Sequence, residues 1–203
     1  MSDIFHEVEE EVRRERYEKL WKEYGDYIIA AVAFVVIAAA GFQLWRYYEQ
    51  RQQMRASAEY SLAQQLLDSG QSPAAAEAFG KLASDAPGGY AQVARLQEAG
   101  ALAMSGRIND AVKVYKEIAA GSGDPMLAAV ARIRAAWITV DDTPRSDVAA
   151  LLAPLTDPAN AWNPLAREVL AYADFHSGAN KQALAEYKSL ATDKNAPTSL
   201  HER

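Results

Sequence analysis

The sequence predicts an all-α fold, in which one N-terminal transmembrane helix is followed by about four helix-turn-helix repeats stacked as an α-solenoid. Three observations predict it. Residues 27–45 carry no charged side chain, apolar residues recur every three or four positions from about residue 55 onward, and turn residues return at a fixed interval. No alternating apolar and polar pattern, which would be typical of β-strands, competes with the helical one.

The composition narrows the possible functional classes. The chain has 203 residues and no cysteine, which excludes disulfide frameworks, thiolate zinc sites and cysteine nucleophiles. The net charge is -6 and no basic block is present, so binding to nucleic acid is not expected. We expect a membrane anchor and one further domain of ordinary size.

Residues 27–48 are the predicted transmembrane helix. The uncharged run 27–45 roughly matches the ~20 helical residues that cross ~30 Å of hydrocarbon. Aromatic side chains that suit a membrane interface flank it on both sides: Tyr24, Tyr27, Trp45, Tyr47 and Tyr48. The small residues 38–41 would also allow the spans of two copies to approach closely. A homodimer formed through the membrane helix is therefore a further expectation.

Two alternatives to a membrane span are a buried soluble helix and a cleaved signal peptide ending near Ala38–Ala40. The residues before the span hold nine acidic and five basic side chains, unlike the short positive region of a signal peptide. Five basic residues closely precede the span and three follow it, which favours a cytoplasmic N-terminus and a periplasmic domain at 49–203.

The predicted cytoplasmic tail, residues 1–26, has the pattern of an amphipathic helix. Apolar residues follow one another at helical spacing on an otherwise charged segment, beginning with Phe5, Val8 and Val12. The tail is interpreted either as a helix that makes contacts in the cytoplasm or at the membrane surface, or as a solvated segment that leads into the span.

The turn signals of the remaining chain are periodic. Four turn residues lie thirty-six positions apart: Gly70, Gly106, Asp142 and Gly178. The same offset aligns the small residues Ala63, Ala99, Ala135 and Ala171. It also aligns Phe79, Tyr115, Leu151 and Tyr187, and a further apolar column of Ala76, Val112, Val148 and Leu184. These columns predict four repeats at about 56–91, 92–127, 128–163 and 164–198.

Each column has a physical reason. Small alanines on the first helix of a repeat allow the second helix to pack closely, and the aromatic on the second helix is expected to fill the space between neighbouring repeats. Glycine permits the left-handed turn that ends the first helix. One repeat cannot bury its apolar face alone, so stacking must supply the core.

The spacing resembles the tetratricopeptide (TPR) repeat, with glycine, alanine five residues later and an aromatic four residues after that. It is present as Gly70-Ala75-Phe79, Gly106-Ala111-Tyr115 and Gly178-Ala183-Tyr187. The third copy departs from the pattern, with Asp142, Asp147 and Leu151, and Pro154 falls inside its expected second helix. A bent or shortened helix is predicted there.

The whole layout resembles the YfgM-like family of bacterial inner-membrane proteins. The resemblance covers nearly the full chain and is carried by Gly41–Tyr48, Gly89–Ala119, Asp124–Val140 and Trp162. It implies an accessory subunit of the Sec translocon that works in the periplasm with a membrane-anchored isomerase-like chaperone on exported proteins. A scaffold for cell division or wall synthesis is the alternative.

The sequence offers no assembled catalytic, cofactor or metal site, so a non-enzymatic protein is expected. His6, His176 and His201 lack metal-ligand spacing, and no nucleotide-binding or hydrolase motif is present. An enzyme with an unrecognised site is the third hypothesis. His176 could contact Asp174, Tyr172 or Tyr187, but it is better interpreted as a surface histidine at a helix C-terminus.

Protein binding is the remaining role, and TPR arrays bind partners in a groove lined by first helices. Candidate groove residues are Tyr60, Gln64, Arg95, Arg132, Arg134 and Arg167. The arginines suit acidic partner segments or terminal carboxylates, with a solvated face of local ion pairs as the alternative. Trp137 and Trp162 are either partner anchors or core residues.

Overall fold

The computed structural model of the chain describes residues 3–121 and 123–202, and among these residues all regular structure is helical. The helices are α1 (Asp3–Asp68), α2 (Ser72–Asp85), α3 (Gly89–Met104), α4 (Ile108–Gly121), α5 (Pro125–Thr139), α6 (Arg145–Leu152), α7 (Asn163–His176), α8 (Asn180–Thr192) and α9 (Thr198–His201). A 3-10 turn at Ala153–Leu155 follows α6. The predicted all-α fold is confirmed.

The chain divides into two compact units, Met1–Arg51 and Gln52–Arg203. The helix α1 holds one stretch near the N-terminus that is long and apolar enough to cross a membrane. Its large apolar side chains, including Phe34, Ile37 and Leu44, are exposed. The side chains of the predicted stripe at Phe5, Val8 and Val12 lie outside the described residues.

The second unit is built from helix pairs: the end of α1 with α2, then α3 with α4, α5 with α6, and α7 with α8. The predicted column of small residues is fully buried in every pair, at Ala63, Ala99, Ala135 and Ala171. A methyl group at this position lets neighbouring helices approach without leaving a void. The prediction for this column is confirmed.

Left-handed glycines end three of the four first helices, as predicted. Gly70, Gly106 and Gly178 have φ values of 79°, 81° and 83°. The residue after each glycine donates its backbone N–H to a carbonyl five positions earlier, at 2.9, 2.9 and 2.8 Å respectively. This arrangement satisfies a carbonyl that the ending helix would otherwise leave free.

The aromatic column on the second helices is buried in the first two repeats and exposed to solvent in the last. Phe79 is 0% exposed and Tyr115 is 2% exposed, so both fill the space between repeats as predicted. The same prediction is wrong for Tyr187, which is 37% exposed. Leu184, in the neighbouring apolar column, is 56% exposed. The physical reason is that α3 covers α2 and α5 covers α4, whereas α8 packs against α7 and the four-residue α9.

The third repeat is shortened, which confirms that prediction. The helix α6 ends at Leu152 after eight residues, and Pro154 sits within the 3-10 turn. Proline has no N–H to continue an α-helix and its ring clashes with the carbonyl four residues earlier. The segment that follows is tied down by Asn163, whose buried amide donates to the Thr156 carbonyl at 2.9 Å.

Candidate functional site

Tyr60 and Gln64 lie side by side on the first-helix face of the array. The Gln97 amide of α3 donates to the Tyr60 hydroxyl at 3.1 Å and lies 3.5 Å from the Gln64 amide oxygen. The Tyr60 ring packs edge-on against Phe79, with 5.4 Å between ring centroids. A small polar network therefore connects α1 and α3 on this face.

The arginines among the candidate residues each tie two helices together. Arg95 of α3 forms an ion pair with Glu117 of α4. Arg167 of α7 forms one with Glu186 of α8. Arg167 also contacts the Asp193 carboxylate at 2.9 Å and donates to the Ser189 hydroxyl at 2.8 Å. Several N–H donors on one planar guanidinium make such multiple contacts possible.

Arg132 and Arg134 of α5 form hydrogen bonds to groups on neighbouring helices. Arg132 of α5 donates to the Ala119 carbonyl at 3.2 Å and to the Leu151 carbonyl at 3.4 Å. Arg134 is exposed and hydrogen-bonds to the hydroxyl of Tyr115. Of the six candidate residues, the structure brings Tyr60 and Gln64 together. It places the four arginines on three successive repeats, with Arg132 and Arg134 both on α5, and each has partners on a neighbouring helix.

A cluster of aromatic side chains and one carboxylate lies where α5 and α7 end. The rings of Trp137 and Tyr172 have centroids 5.5 Å apart, and Tyr172 stacks on His176 at 6.4 Å with an interplanar angle of 20°. The Tyr172 hydroxyl hydrogen-bonds to Asp141, and this bond raises the pKa of Tyr172 above 10.0. We call Trp137, Tyr172, His176 and Asp141 the aromatic–acidic cluster.

The aromatic–acidic cluster is open to solvent. Trp137, His176 and Asp141 are exposed, and Tyr172 is half-buried. The His176 Nε2 atom lies 3.8 Å from the Asp141 carboxylate. Asp174 is not its partner, because Arg145 of α6 binds that carboxylate with two nitrogen atoms.

Sequence reasoning found only part of this cluster. The sequence predicts that Trp137 is either a partner anchor or a core residue, and it gives Tyr172 as one of three contacts that His176 could make. The structure confirms the contact between Tyr172 and His176. Asp141 could not be predicted from the sequence. It lies thirty-five residues before His176, and that spacing does not show that the turn after α5 lies beside the end of α7. Trp162 is half-buried and packs against the core of α5, α6 and α7.

A charged cleft lies between α2, α3 and α4, and its charges largely compensate one another. Arg95 pairs there with Glu117, and Arg107 pairs with Asp110 at 2.7 Å. Burial raises the pKa of Glu98 above 4.5, an effect that Arg95 opposes. Across the described ranges 3–121 and 123–202, no three His, Asp or Glu side chains are grouped so that they could hold a metal ion.

The model of the tetratricopeptide repeat-like domain family matches residues 18–201. The matched segment includes the apolar stretch as well as all four helix pairs. No curated protein and no solved structure shows significant similarity to the chain.

Proposed function

The chain belongs to the tetratricopeptide repeat-like domain family, and on that premise we propose that it is a protein-interaction module held at a membrane by its N-terminal helix. Stacked repeats create extended surfaces of the kind that bind proteins. The observation that carries the proposal is the aromatic–acidic cluster, in which the exposed side chains of Trp137, His176 and Asp141 surround the half-buried Tyr172 where α5 and α7 end. Binding rather than catalysis is the role that we assign to it.

The chemistry of the aromatic–acidic cluster suits a partner segment. Tryptophan and tyrosine supply much of the binding energy of protein interfaces because they bury a large area and lose little conformational freedom. A partner side chain stacked on Trp137 would lie close to the Asp141 carboxylate, which adds a directional polar contact. The proposed surface continues along the first helices to the remaining candidates, which are Tyr60, Gln64, Arg95, Arg132, Arg134 and Arg167.

We propose a single-pass topology in a bacterial inner membrane, with residues 1–26 in the cytoplasm, 27–48 in the membrane and 49–203 in the periplasm. The apolar stretch in α1 and its flanking aromatics support a membrane span. The excess of basic residues before the span supports the orientation.

The finer role that we propose is that of an accessory subunit of the Sec translocon, which works with a membrane-anchored isomerase-like chaperone on exported proteins. The support is the resemblance of the layout and of Gly41–Tyr48 to the YfgM-like family. A scaffold for cell division or wall synthesis would use the same surface and is the second candidate.

Topology can be tested with single cysteines, because the natural chain has none. Lys181→Cys lies at an exposed position of α8, and Glu18→Cys lies at an exposed position before the span. In intact cells whose outer membrane is permeable, a membrane-impermeant maleimide should label Lys181→Cys and leave Glu18→Cys unlabelled until the cells are lysed. The reverse pattern would rule out the periplasmic domain.

The partner role can be tested by co-purification of the full-length protein from membranes in mild detergent. The proposal expects translocon subunits with the natural chain and with Met126→Ala, which removes an exposed apolar side chain of α5 outside the cluster. It expects their loss with the double change Trp137→Ala and Tyr172→Ala. Division or wall-synthesis proteins in place of translocon subunits would favour the second candidate, and unchanged recovery with the double variant would remove the cluster from the interface.

A further inference from the structure

The first helix of the array exposes a face that later first helices bury. Ala58 of α1 is exposed, whereas the residues one and three periods later, Ala94 and Ala166, are fully buried. Leu62, one turn further along α1, is 61% exposed. Later first helices bury this face against the second helix of the preceding repeat, and α1 begins the array.

The last second helix has the complementary opening. Leu184 and Tyr187 of α8 are exposed, while their equivalents in the first repeat, Ala76 and Phe79, are buried beneath α3. Among the described residues, the first and the last helix pair thus each expose one half of a repeat–repeat interface, and both halves are apolar at their centres.

The interface between α2 and α3 gives the register in which such halves meet. Three residues of α2 and three of α3 line one shared cleft: Ala76, Glu77 and Gly80, with Arg95, Glu98 and Leu102. The approach is close, because a Cβ atom on Gly80 would lie 3.1 Å from a carboxylate oxygen of Glu98. Shifted by whole periods, the α2 positions become Leu184, Ala185 and Lys188, and the α3 positions become Glu59, Leu62 and Leu66.

The two sets are complementary in this register. Leu184 takes the place of Ala76 and so lines the shared cleft with Leu62 and Leu66, of which Leu66 is half-buried against the core of its own chain. Lys188 takes the place of Gly80, and because its side chain is larger, the two helices would lie further apart here than α2 and α3 do. The flexible lysine side chain would then extend past Leu62 toward Glu59, within one helical turn. Both Lys188 and Glu59 are exposed, so an ion pair would form at the rim of an apolar contact.

We propose that α8 of one copy packs against residues 58–66 of a second copy, head to tail, and so continues the repeat–repeat interface between chains. Such a contact joins two different patches and is heterologous. A contact made by one helix of each copy is expected to bury less than the ~1,600 Å² of a standard stable interface. The contact is therefore weak, and covalent capture is the suitable measurement.

The test uses two single-cysteine variants of the full-length protein, Leu62→Cys and Leu184→Cys, with different tags and in the membranes of expressing cells. Both positions are exposed, so neither change disturbs the core. After mild oxidation, the proposal expects disulfide-linked dimers that carry both tags when the variants are co-expressed, and at least roughly fivefold fewer dimers with either variant alone. Dimers of Leu184→Cys alone at the same level would show a symmetric contact and overturn the proposal, as would no dimers in any mixture.

A charge reversal checks the register independently of the cysteines. In the cysteine background, Lys188→Glu on one copy should lower the yield of mixed dimers by roughly fivefold, the size of one exposed ion pair turned into a repulsion. Glu59→Lys on the other copy should restore the yield. Lys194→Glu, the same charge change beyond the end of α8, should leave it unchanged. A yield that Lys188→Glu does not alter, or that Lys194→Glu lowers equally, would overturn the proposed register.

Discussion

The guanidinium of Arg134 on α5 donates a hydrogen bond to the hydroxyl of Tyr115 on α4, so a side chain of the third repeat holds the aromatic of the second. The two groups meet over Gly100 of α3, where a Cβ atom would lie 3.6 Å from the Tyr115 oxygen and 3.7 Å from Arg134 Nη1. Three helices from two repeats therefore meet at one point, and burial at this point raises the pKa of Tyr115 above 10.0.

Removal of the Tyr115 hydroxyl should weaken this junction. We expect Tyr115→Phe to lower the free energy of unfolding by about 1 kcal/mol, because the ring stays buried and one hydrogen bond is lost. Chemical denaturation followed by circular dichroism measures the effect. The matched change Tyr187→Phe, at the exposed end of the array, should alter stability by less than about 0.5 kcal/mol, and equal losses at both positions would contradict the assigned role of Arg134.

The half-buried carboxyl of Glu98 should make stability depend on pH. Because its pKa is raised in the folded chain by burial, its neutral form favours folding below pH 4.5, and this contribution is lost as the pH rises through the folded-state value. Glu98→Gln should therefore stabilise the fold at neutral pH, by less than about 1 kcal/mol because solvent screens the charge, and should give no gain in acid.

Denaturation curves at neutral pH and below pH 4.5 check the prediction for Glu98. Glu117→Gln is the control: it removes the partner of Arg95 and should slightly destabilise the fold at neutral pH. A gain from Glu98→Gln that persists in acid would mean that charge is not its cause.

Two glycine-to-alanine substitutions, six residues apart, should change the free energy of unfolding in opposite directions. Gly106 has a φ of 81° with open space around its missing side chain. Gly106→Ala should cost about 1–2 kcal/mol because alanine strains in the left-handed region. Gly100 lies inside α3 with room for a methyl group, so Gly100→Ala should stabilise the fold by about 0.5–1 kcal/mol. Thermal unfolding of both variants measures the signs, and a shared sign would show that backbone conformation does not govern them.

Substitution of the aromatic residue of the second helix should reduce stability far more in the first repeat than in the last. Phe79→Ala empties a fully buried site and should cost about 3–5 kcal/mol. Tyr187→Ala removes a ring that is already 37% exposed and should cost less than about 1 kcal/mol in the isolated chain. Denaturant midpoints compare the two, and similar losses would mean that Tyr187 is covered in solution.

The elements that could be predicted from the sequence are those that repeat. Ala99 and its equivalents and Gly106 and its equivalents act through local geometry that is the same in every period. The break at Pro154 does not repeat, but it could be predicted because a proline in the interior of a helix breaks it. The partners of Arg95 and Arg167 could not be predicted, because the rotation of one helix against the next decides which carboxylate each arginine reaches. Asp141 was missed for the same reason: its contact with Tyr172 joins a turn to the neighbouring repeat.

The exposure of Leu184 and Tyr187 on α8 could not be predicted from the sequence, for a different reason. Tyr187 occupies the same column as the buried Phe79 and Tyr115, so the sequence alone predicts that it is buried, and Leu184 lies in the apolar column of the buried Ala76. Their exposure depends on the absence of a covering first helix among the described residues, which a pattern within one repeat does not encode.

Three of the four turns between paired helices contain a glycine with nearly the same φ, whereas the turn that contains Asp142 has no left-handed residue. A deletion or duplication of the thirty-six codons between Gly70 and Gly106 would therefore join one such turn to another with the same φ. The third repeat, with its own turn and its shortened helix, cannot be exchanged in this way. Variation in the length of such arrays is therefore expected to accumulate on the N-terminal side of α5.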